Sequence, residues 1–196
     1  VKSPLIILAS ASPRRKQLLR EMGVKFRAVA ADVDETPHAH LSPRELAMRL
    51  AFAKARAVAQ QFPDAVVIGA DTIVTLNGKL YEKPRDLTDA ARMLGELQGK
   101  THRVITGVCV LHLREGTRAL FAETTKVTFK KMSPQEIRDY LRLIHPLDKA
   151  GAYAAQEHTE RIIARVEGSF SNVVGLPTEK LSKVLGAFGV ERIPQA

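Results

Sequence analysis

Three Ser-Pro pairs, Ser12-Pro13, Ser42-Pro43 and Ser133-Pro134, each stand at the head of a helix-patterned stretch. Serine accepts a backbone N–H as an N-cap, and proline fits the first helical position, where its missing N–H is not needed. Helices are therefore expected from Pro13 to Gly23, from Pro43 to about Gln61, and from Pro134 to about Leu143. Thr88 caps another that ends near Gly99, and a final helix runs from Pro177 to about Ala187. In the second helix Leu46, Leu50, Ala53, Ala57 and Val58 recur at helical spacing.

Between these helices lie strand-like runs. Leu5 to Ala9 and Ala65 to Ala70 are continuous apolar runs, and the second ends in Asp71-Thr72. Val24 to Ala30, Ile162 to Val166 and Asn172 to Gly175 are read as further strands. Ile73 to Leu80 forms a hairpin turning at Asn77-Gly78, a strong two-residue turn signal. Thr101 to Lys130 alternates in two long runs broken at Glu115-Gly116, a long antiparallel hairpin. Helices interleaved with buried and alternating strands define an α/β class with a mixed sheet. With 196 residues, 45% of them apolar, the chain has enough material for one domain, or for two small lobes sharing a cleft.

No apolar run approaches the roughly 20 residues that span a bilayer, and Leu5 to Ala9 lacks the shape of a signal peptide. A single cysteine, Cys109, excludes an internal disulfide and suits a reducing cytoplasm. The net charge of +9 points to an anionic partner, either a nucleic acid or a polyphosphate. With aromatics at 5% and no tryptophan, a base-stacking platform for single strands is poorly supplied.

The turn Ser10-Ala11-Ser12-Pro13-Arg14-Arg15 carries the sharpest chemical signal. A helix N-terminus presents unpaired N–H groups and a positive dipole end. Arg14 and Arg15 oppose that dipole, so they are either a solvated basic first turn or half of a polyphosphate site. Asp71, at the end of a buried strand, either holds a divalent ion, activates water, or caps the following hairpin. Glu35 in the acidic loop Asp32 to Glu35 is a second carboxylate or a plain loop acid. Lys54 and Lys83 read as solvated lysines on residue type alone, although Pro84 stiffens the backbone after Lys83. The six histidines, among them His38 and His40, are scattered, and no His or Cys cluster has zinc spacing. A metal here is a hard, oxygen-ligated ion such as Mg²⁺ or Mn²⁺.

Taken together, these motifs resemble the Maf family of nucleotide pyrophosphatases, nearly end to end. Leu8 to Arg15 resembles the family's opening signature, Glu35 its acidic loop, and Ala53-Lys54-Ala55 its central lysine. Gly69-Ala70-Asp71-Thr72 and Glu82-Lys83-Pro84 match the middle motifs, and Leu97 to Gly107, with Gly99 and His102, follows the same pattern. Asp148 to Tyr153 with Gln156, and Gly168 to Pro177, resemble the subgroup that acts on dTTP and UTP. Ala154-Ala155 stands where Gly-Ile is common, and Glu157 to Arg161 replaces a glycine-rich run.

The resemblance implies one Maf-like domain over residues 1–196. Its fold would be elongated and mixed-sheet, like that of inosine triphosphate pyrophosphatases, with two lobes around a central cleft. It implies a cytoplasmic acid-anhydride hydrolase that converts a nucleoside triphosphate to the monophosphate and pyrophosphate. Asp71 would activate water. Arg14, Thr72 and Gln156 would tune substrate choice, while Ser10, Arg15, Lys54 and Lys83 bind the polyphosphate. Glu35 and Asp71 would carry a divalent cation, Mg²⁺ or Mn²⁺. A nucleoside triphosphate is the expected partner, with no stable nucleic-acid partner, no membrane, and homodimerisation left open. The rival readings are a pyrophosphatase for purine or 7-methyl-GTP nucleotides, and a non-enzymatic nucleic-acid-binding or cell-division regulator.

Overall fold

A computed structural model describes residues 4–36 and 40–190. His38 lies outside the described residues. In chain order the elements are β1 (Ile6–Leu8), α1 (Pro13–Glu21), β2 (Arg27–Ala28), α2 (Pro43–Ala59), β3 (Val66–Leu76), β4 (Lys79–Tyr81) and α3 (Leu87–Leu97). There follow β5 (Thr101–His112), β6 (Thr117–Phe129), α4 (Pro134–Leu143), two short 3₁₀ turns (Pro146–Asp148 and Ala150–Ala152), α5 (Thr159–Ile162), β7 (Ile163–Glu167), α6 (Phe170–Val174) and α7 (Thr178–Ala187). The sheet order is β2-β1-β3-β5-β6-β7, with β4 paired to β3. β1 runs parallel to β2 and β3, whereas β3–β4 and β6–β7 are antiparallel, so the sheet is mixed as expected.

The Ser-Pro starts fold as local chemistry dictates. Ser12 Oγ accepts from the Arg15 N–H. Ser42 with Glu45 and Ser133 with Glu136 close full capping boxes, in which each side chain bonds the other residue's backbone N–H. Asn77 and Gly78, at φ 51° and 82°, make the β3–β4 turn.

Four expectations are corrected. β3 does not end at Asp71; it runs on to Leu76, because the β-branched stretch Thr72 to Thr75 continues the extended backbone. Asp71 is therefore a mid-strand residue. Asp86, not Thr88, caps α3: its extended backbone lets the side chain accept from the Asp89 N–H at 2.7 Å. The strand expected over Asn172 to Gly175 is the helical turn α6, started by Ser169 Oγ accepting from the Asn172 N–H at 3.2 Å. The strand expected from Val24 to Ala30 shrinks to Arg27–Ala28, the two residues registered against Ile7 and Leu8.

The chain divides into two compact units, with boundaries that fall inside β3, β5 and β6. The first comprises Val1–Asp71, Thr106–Glu123 and Gly175–Ala196. Its core gathers Ile7, Ala9, Ala51, Ala55, Val58, Val67, Cys109 and Leu111. Full burial of each Ile, Leu or Val contributes about 1.5–3 kcal/mol. Alanine dominates the inner face of α2 because the helix comes close to the strands. A Cβ on Gly69 would lie 2.3 Å from Ala51 O, and one on Gly107 would lie 2.3 Å from Ala47 O.

The second unit comprises Thr72–Ile105 and Thr124–Val174. Within it α3 packs against α4 and the Ala150–Ala152 turn. Asn172, fully buried, donates to Val104 O and to Thr125 Oγ1, which ties α6 to β5 and β6. Among the described residues no helix is long and apolar enough to cross a membrane.

Candidate active site

In the first unit β1 delivers the chain into Ser10, whose hydroxyl accepts from the Ser12 N–H at 3.2 Å. That bond shapes the turn so that α1 starts directly after it. No acidic residue occupies the first turn of α1. Arg15 turns its guanidinium back, donating from Nε to Gly175 O at 2.9 Å and from Nη1 to Ser10 Oγ at 3.4 Å. Burial pushes the Arg15 guanidinium below its ordinary value; Asp71 opposes that, Arg14 adds to it, and Glu35 also opposes it. Arg15 remains a cation, since arginine does not deprotonate in proteins. Two guanidinium groups and two carboxylates thus share one electrostatic neighbourhood. Arg14 itself is half-buried.

The same unit holds a three-membered charge cluster. Lys54, on α2, is 8% exposed, so it is not the solvated lysine that residue type alone suggests. Its Nζ lies 2.6 Å from Asp71 Oδ1 and 2.6 Å from Glu35 Oε1. Asp71 is nearly as buried, whereas the Glu35 side chain, from the loop after β2, is half-exposed. The close approach of α2 to β3 at Gly69 makes this reach possible. A buried ion pair is held by its geometry: removing one partner costs about 3–5 kcal/mol because the other charge stays desolvated.

The donor set bears on the expected metal. Among the described residues no group of three or more His, Cys, Asp or Glu side chains is placed to hold an ion. What is present is a pair of hard carboxylates, Glu35 and Asp71, sharing a cation, the Lys54 ammonium. Mg²⁺ commonly takes one or two carboxylates from protein and completes its shell with water and substrate phosphates. The pair fits such an ion.

The remaining expected residues belong to the second unit. Thr72 follows Asp71 on β3 and is half-buried. Lys83 is exposed, in a segment fixed on both sides of it. Tyr81 donates its hydroxyl to Glu96 at 2.8 Å, and the Arg85 N–H donates to Asp89 at 3.2 Å. Burial and that carboxylate push Tyr81 up to about 12, while bonds from Lys79 and Tyr81 pull Glu96 down to about 2. Gln156 is exposed, directly after the buried residues Tyr153 to Ala155. Within the first unit, then, Ser10 meets Arg15, and Glu35 and Asp71 meet Lys54; Thr72, Lys83 and Gln156 belong to the second unit.

Sequence reasoning named His102, Tyr153 and Ala154 within motifs but gave them no role, and it did not single out Tyr140. Tyr140 sits on α4 with Ile137 and Leu141, a spacing that signals only a core face. Its partner Ala154 stands out in the sequence only as a departure from the family's common Gly-Ile pair, which gives no cue to a bond with Tyr140.

The model of the Maf-like protein family matches residues 5–188. The dTTP/UTP pyrophosphatase of Pelotomaculum thermopropionicum is 47% identical over 184 residues, 94% of this chain and 96% of that one. The dTTP/UTP pyrophosphatase of Moorella thermoacetica is 44% identical over 186 residues, covering 95% and 96% of the two chains. Among solved structures, the Ham1 protein of Staphylococcus aureus superposes with a TM-score of 0.53 at 15% identity, over 93% of this chain and 98% of that one. The HAM1 protein of Coxiella burnetii gives 0.51 at 16%, over 94% and 99%. The last two show the shared mixed α/β fold. Matched along almost its whole length by the family's model and by relatives of this identity, the chain belongs to the family of Maf-like proteins.

Proposed function

We propose that the chain hydrolyses nucleoside triphosphates, dTTP and UTP foremost, to the nucleoside monophosphate and pyrophosphate. The observation that carries this is the buried Asp71 carboxylate, fixed at 2.6 Å from Lys54 beside the Ser10–Arg15 helix start. The names of the relatives support the choice of substrate. The span of the family match, which includes both units, supports treating them as one domain.

In this reading Asp71 takes a proton from water as the water oxygen attacks the α-phosphorus. The α–β bridging P–O bond breaks, and its electron pair leaves with pyrophosphate. Negative charge grows on the phosphoryl oxygens and on the leaving group. Ser10, Arg15, Lys54, Lys83 and the N–H groups of the first turn of α1 hold and stabilise that charge. Glu35 and Asp71 would hold a divalent cation, Mg²⁺ or Mn²⁺, which when bound supplies Lewis-acid stabilisation of the phosphates. Arg14, Thr72 and Gln156 tune which nucleotide is accepted. Gln156 offers both a donor and an acceptor, matching the carbonyl and ring N–H of thymine or uracil. We place this chemistry in the cytoplasm, where Cys109, a buried thiol pushed up to about 12 by desolvation, stays reduced and inert.

The test is product analysis on a panel of canonical and modified nucleoside triphosphates with Mg²⁺ or Mn²⁺. Equimolar dTMP and pyrophosphate from dTTP, and UMP and pyrophosphate from UTP, are expected. Diphosphate with orthophosphate, or no turnover of any triphosphate, contradicts the reading.

A further inference from the structure

Gln156 emerges from a segment that is held at three consecutive residues. The Tyr153 hydroxyl lies 3.0 Å from His102 Nε2. The Ala154 N–H donates to the Tyr140 hydroxyl at 3.1 Å, and that hydroxyl donates in turn to Ala154 O at 3.4 Å. Thr159 Oγ1 donates to Ala155 O at 2.5 Å. All of these groups belong to the second unit. Residues 153–156 form no helix or strand, so no backbone ladder fixes them. Tyr140, 1% exposed on α4, takes the place of a ladder partner: one hydroxyl satisfies both polar groups of a single residue.

His102 shows that this fixation is not explained by stability alone. It is fully buried, and its Nδ1 has no hydrogen-bond partner. A buried polar atom left unpaired is destabilising, and an apolar side chain would avoid the cost. What the imidazole provides is the bond from Nε2 to Tyr153. The His102, Phe129 and Tyr153 rings also meet edge to face, with centroids 4.7, 4.9 and 5.5 Å apart, so the phenol is fixed in orientation as well as by its hydroxyl.

We propose that Tyr140 and the His102–Tyr153 pair are positioning residues for base selection, holding 153–155 so that Gln156 meets the nucleobase in one geometry. This rests on the reading of the chain as a triphosphate pyrophosphatase with Gln156 at the base. A glutamine rejects a wrong base only if the mismatch leaves its donor or acceptor unpaired. A loose loop shifts until both are paired again, and discrimination is lost. A rigid supporting shell prevents that shift.

The experiment compares kcat/KM for dTTP with that for dATP in the full chain and four variants, alongside thermal unfolding. Tyr140→Phe removes one hydroxyl, and His102→Leu with Tyr153→Phe replaces the bonded pair by apolar groups of similar size. Ser133→Ala weakens the cap of α4, the helix that carries Tyr140, without touching the clamp. In the single and the double clamp variants the dTTP preference should fall by about tenfold. The double variant should unfold at or above the wild-type temperature, because no polar partner is left unpaired. Ser133→Ala should unfold earlier with its preference unchanged. A preference within about twofold of wild type in either clamp variant, or an equal fall in Ser133→Ala, overturns the proposal. Gln156→Ala separates the layers. If its preference falls while the clamp variants keep theirs, the clamp is wrong and base selection by Gln156 stands. If its preference is unchanged, both are wrong. If no triphosphate yields pyrophosphate, the proposed function itself fails.

Discussion

Lys54 Nζ lies 2.6 Å from Asp71 Oδ1, and two residues before that carboxylate Gly69 leaves the backbone of α2 so close to β3 that a Cβ there would meet Ala51 O at 2.3 Å. The helix carries the cation, the strand carries the anion, and the missing Cβ sets the distance between them. Glu35 closes on the same ammonium from a loop.

Replacing Lys54 with Met leaves Asp71 buried without its counter-charge and sets it beside Glu35. The expected loss is ~3 kcal/mol of unfolding free energy, the lower end for a broken buried pair because Glu35 is half-exposed. Urea denaturation in chelator and in Mg²⁺ checks it. Part of the loss should return with Mg²⁺, which supplies the missing positive charge; full wild-type stability in chelator would show that the triad carries no stabilising interaction.

Gly69→Ala is expected to be among the most damaging conservative changes in the chain. Its Cβ would meet Ala51 O at 2.3 Å and Ala55 N at 2.7 Å, both backbone atoms of α2. Overpacking of this kind costs about 1–3 kcal/mol or more. Soluble yield and thermal unfolding measure it, and activity should fall with it because Lys54 is pushed away from Asp71.

The two arginines of α1 should separate. Arg15 donates to Gly175 O and Ser10 Oγ, so Arg15→Ala should lower both stability and triphosphate affinity, the former by ~1–2 kcal/mol. Arg14→Ala should weaken nucleotide binding with unfolding unchanged or slightly improved. Isothermal titration with a non-hydrolysable dTTP analogue and thermal unfolding of both variants decide the matter.

Burial holds His102 neutral, lowering it to about 4 from its ordinary value near 6.5. The unfolded chain therefore binds a proton at a pH where the folded chain does not. Stability is fully present above about 6.5 and is lost as the pH falls towards 4, by ~3 kcal/mol from this group. Glu96, pulled down to about 2, acts in a lower window, from its ordinary value near 4.5 down to 2. Urea unfolding of wild type and the His102→Leu, Tyr153→Phe double variant at several pH values isolates the histidine's share. Wild type should fall away from the double variant as the pH drops from about 6.5 towards 4; a gap that stays constant would mean that His102 protonates equally in both states.

Much of the fold was legible because its signals are local. Ser42 and Glu45, or Ser133 and Glu136, specify a helix start within four residues, and Asn77-Gly78 specifies a turn within two. Where a segment is decided by distant partners, reading failed. Asn172-Val173-Val174 has strand composition, but Asn172 bonds Val104 and Thr125 and is buried as a helical turn. The stretch Thr72 to Leu76 is the expected hairpin arm, paired with β4, but it is also the end of the longer strand that carries Asp71, and composition did not reveal that continuity. In the site, Asp71, Glu35 and the arginines were legible as residue types in the right motifs. The contact of the Asp71 and Glu35 carboxylates with the Lys54 ammonium was not, because α2 and β3 approach each other at Gly69 rather than through any pattern in the lysine's own surroundings.

The most direct test of the central claim is Asp71→Asn assayed for pyrophosphate release from dTTP, with nucleotide affinity and thermal unfolding measured on the same preparation. Asparagine keeps the shape of the side chain and removes its ability to take a proton. Wild type should yield dTMP and pyrophosphate, and the variant should be slower by about a hundredfold to ten-thousandfold while remaining folded and binding nucleotide. Pyrophosphate release by folded Asp71→Asn within about threefold of wild type would remove Asp71 from the chemistry and contradict the account.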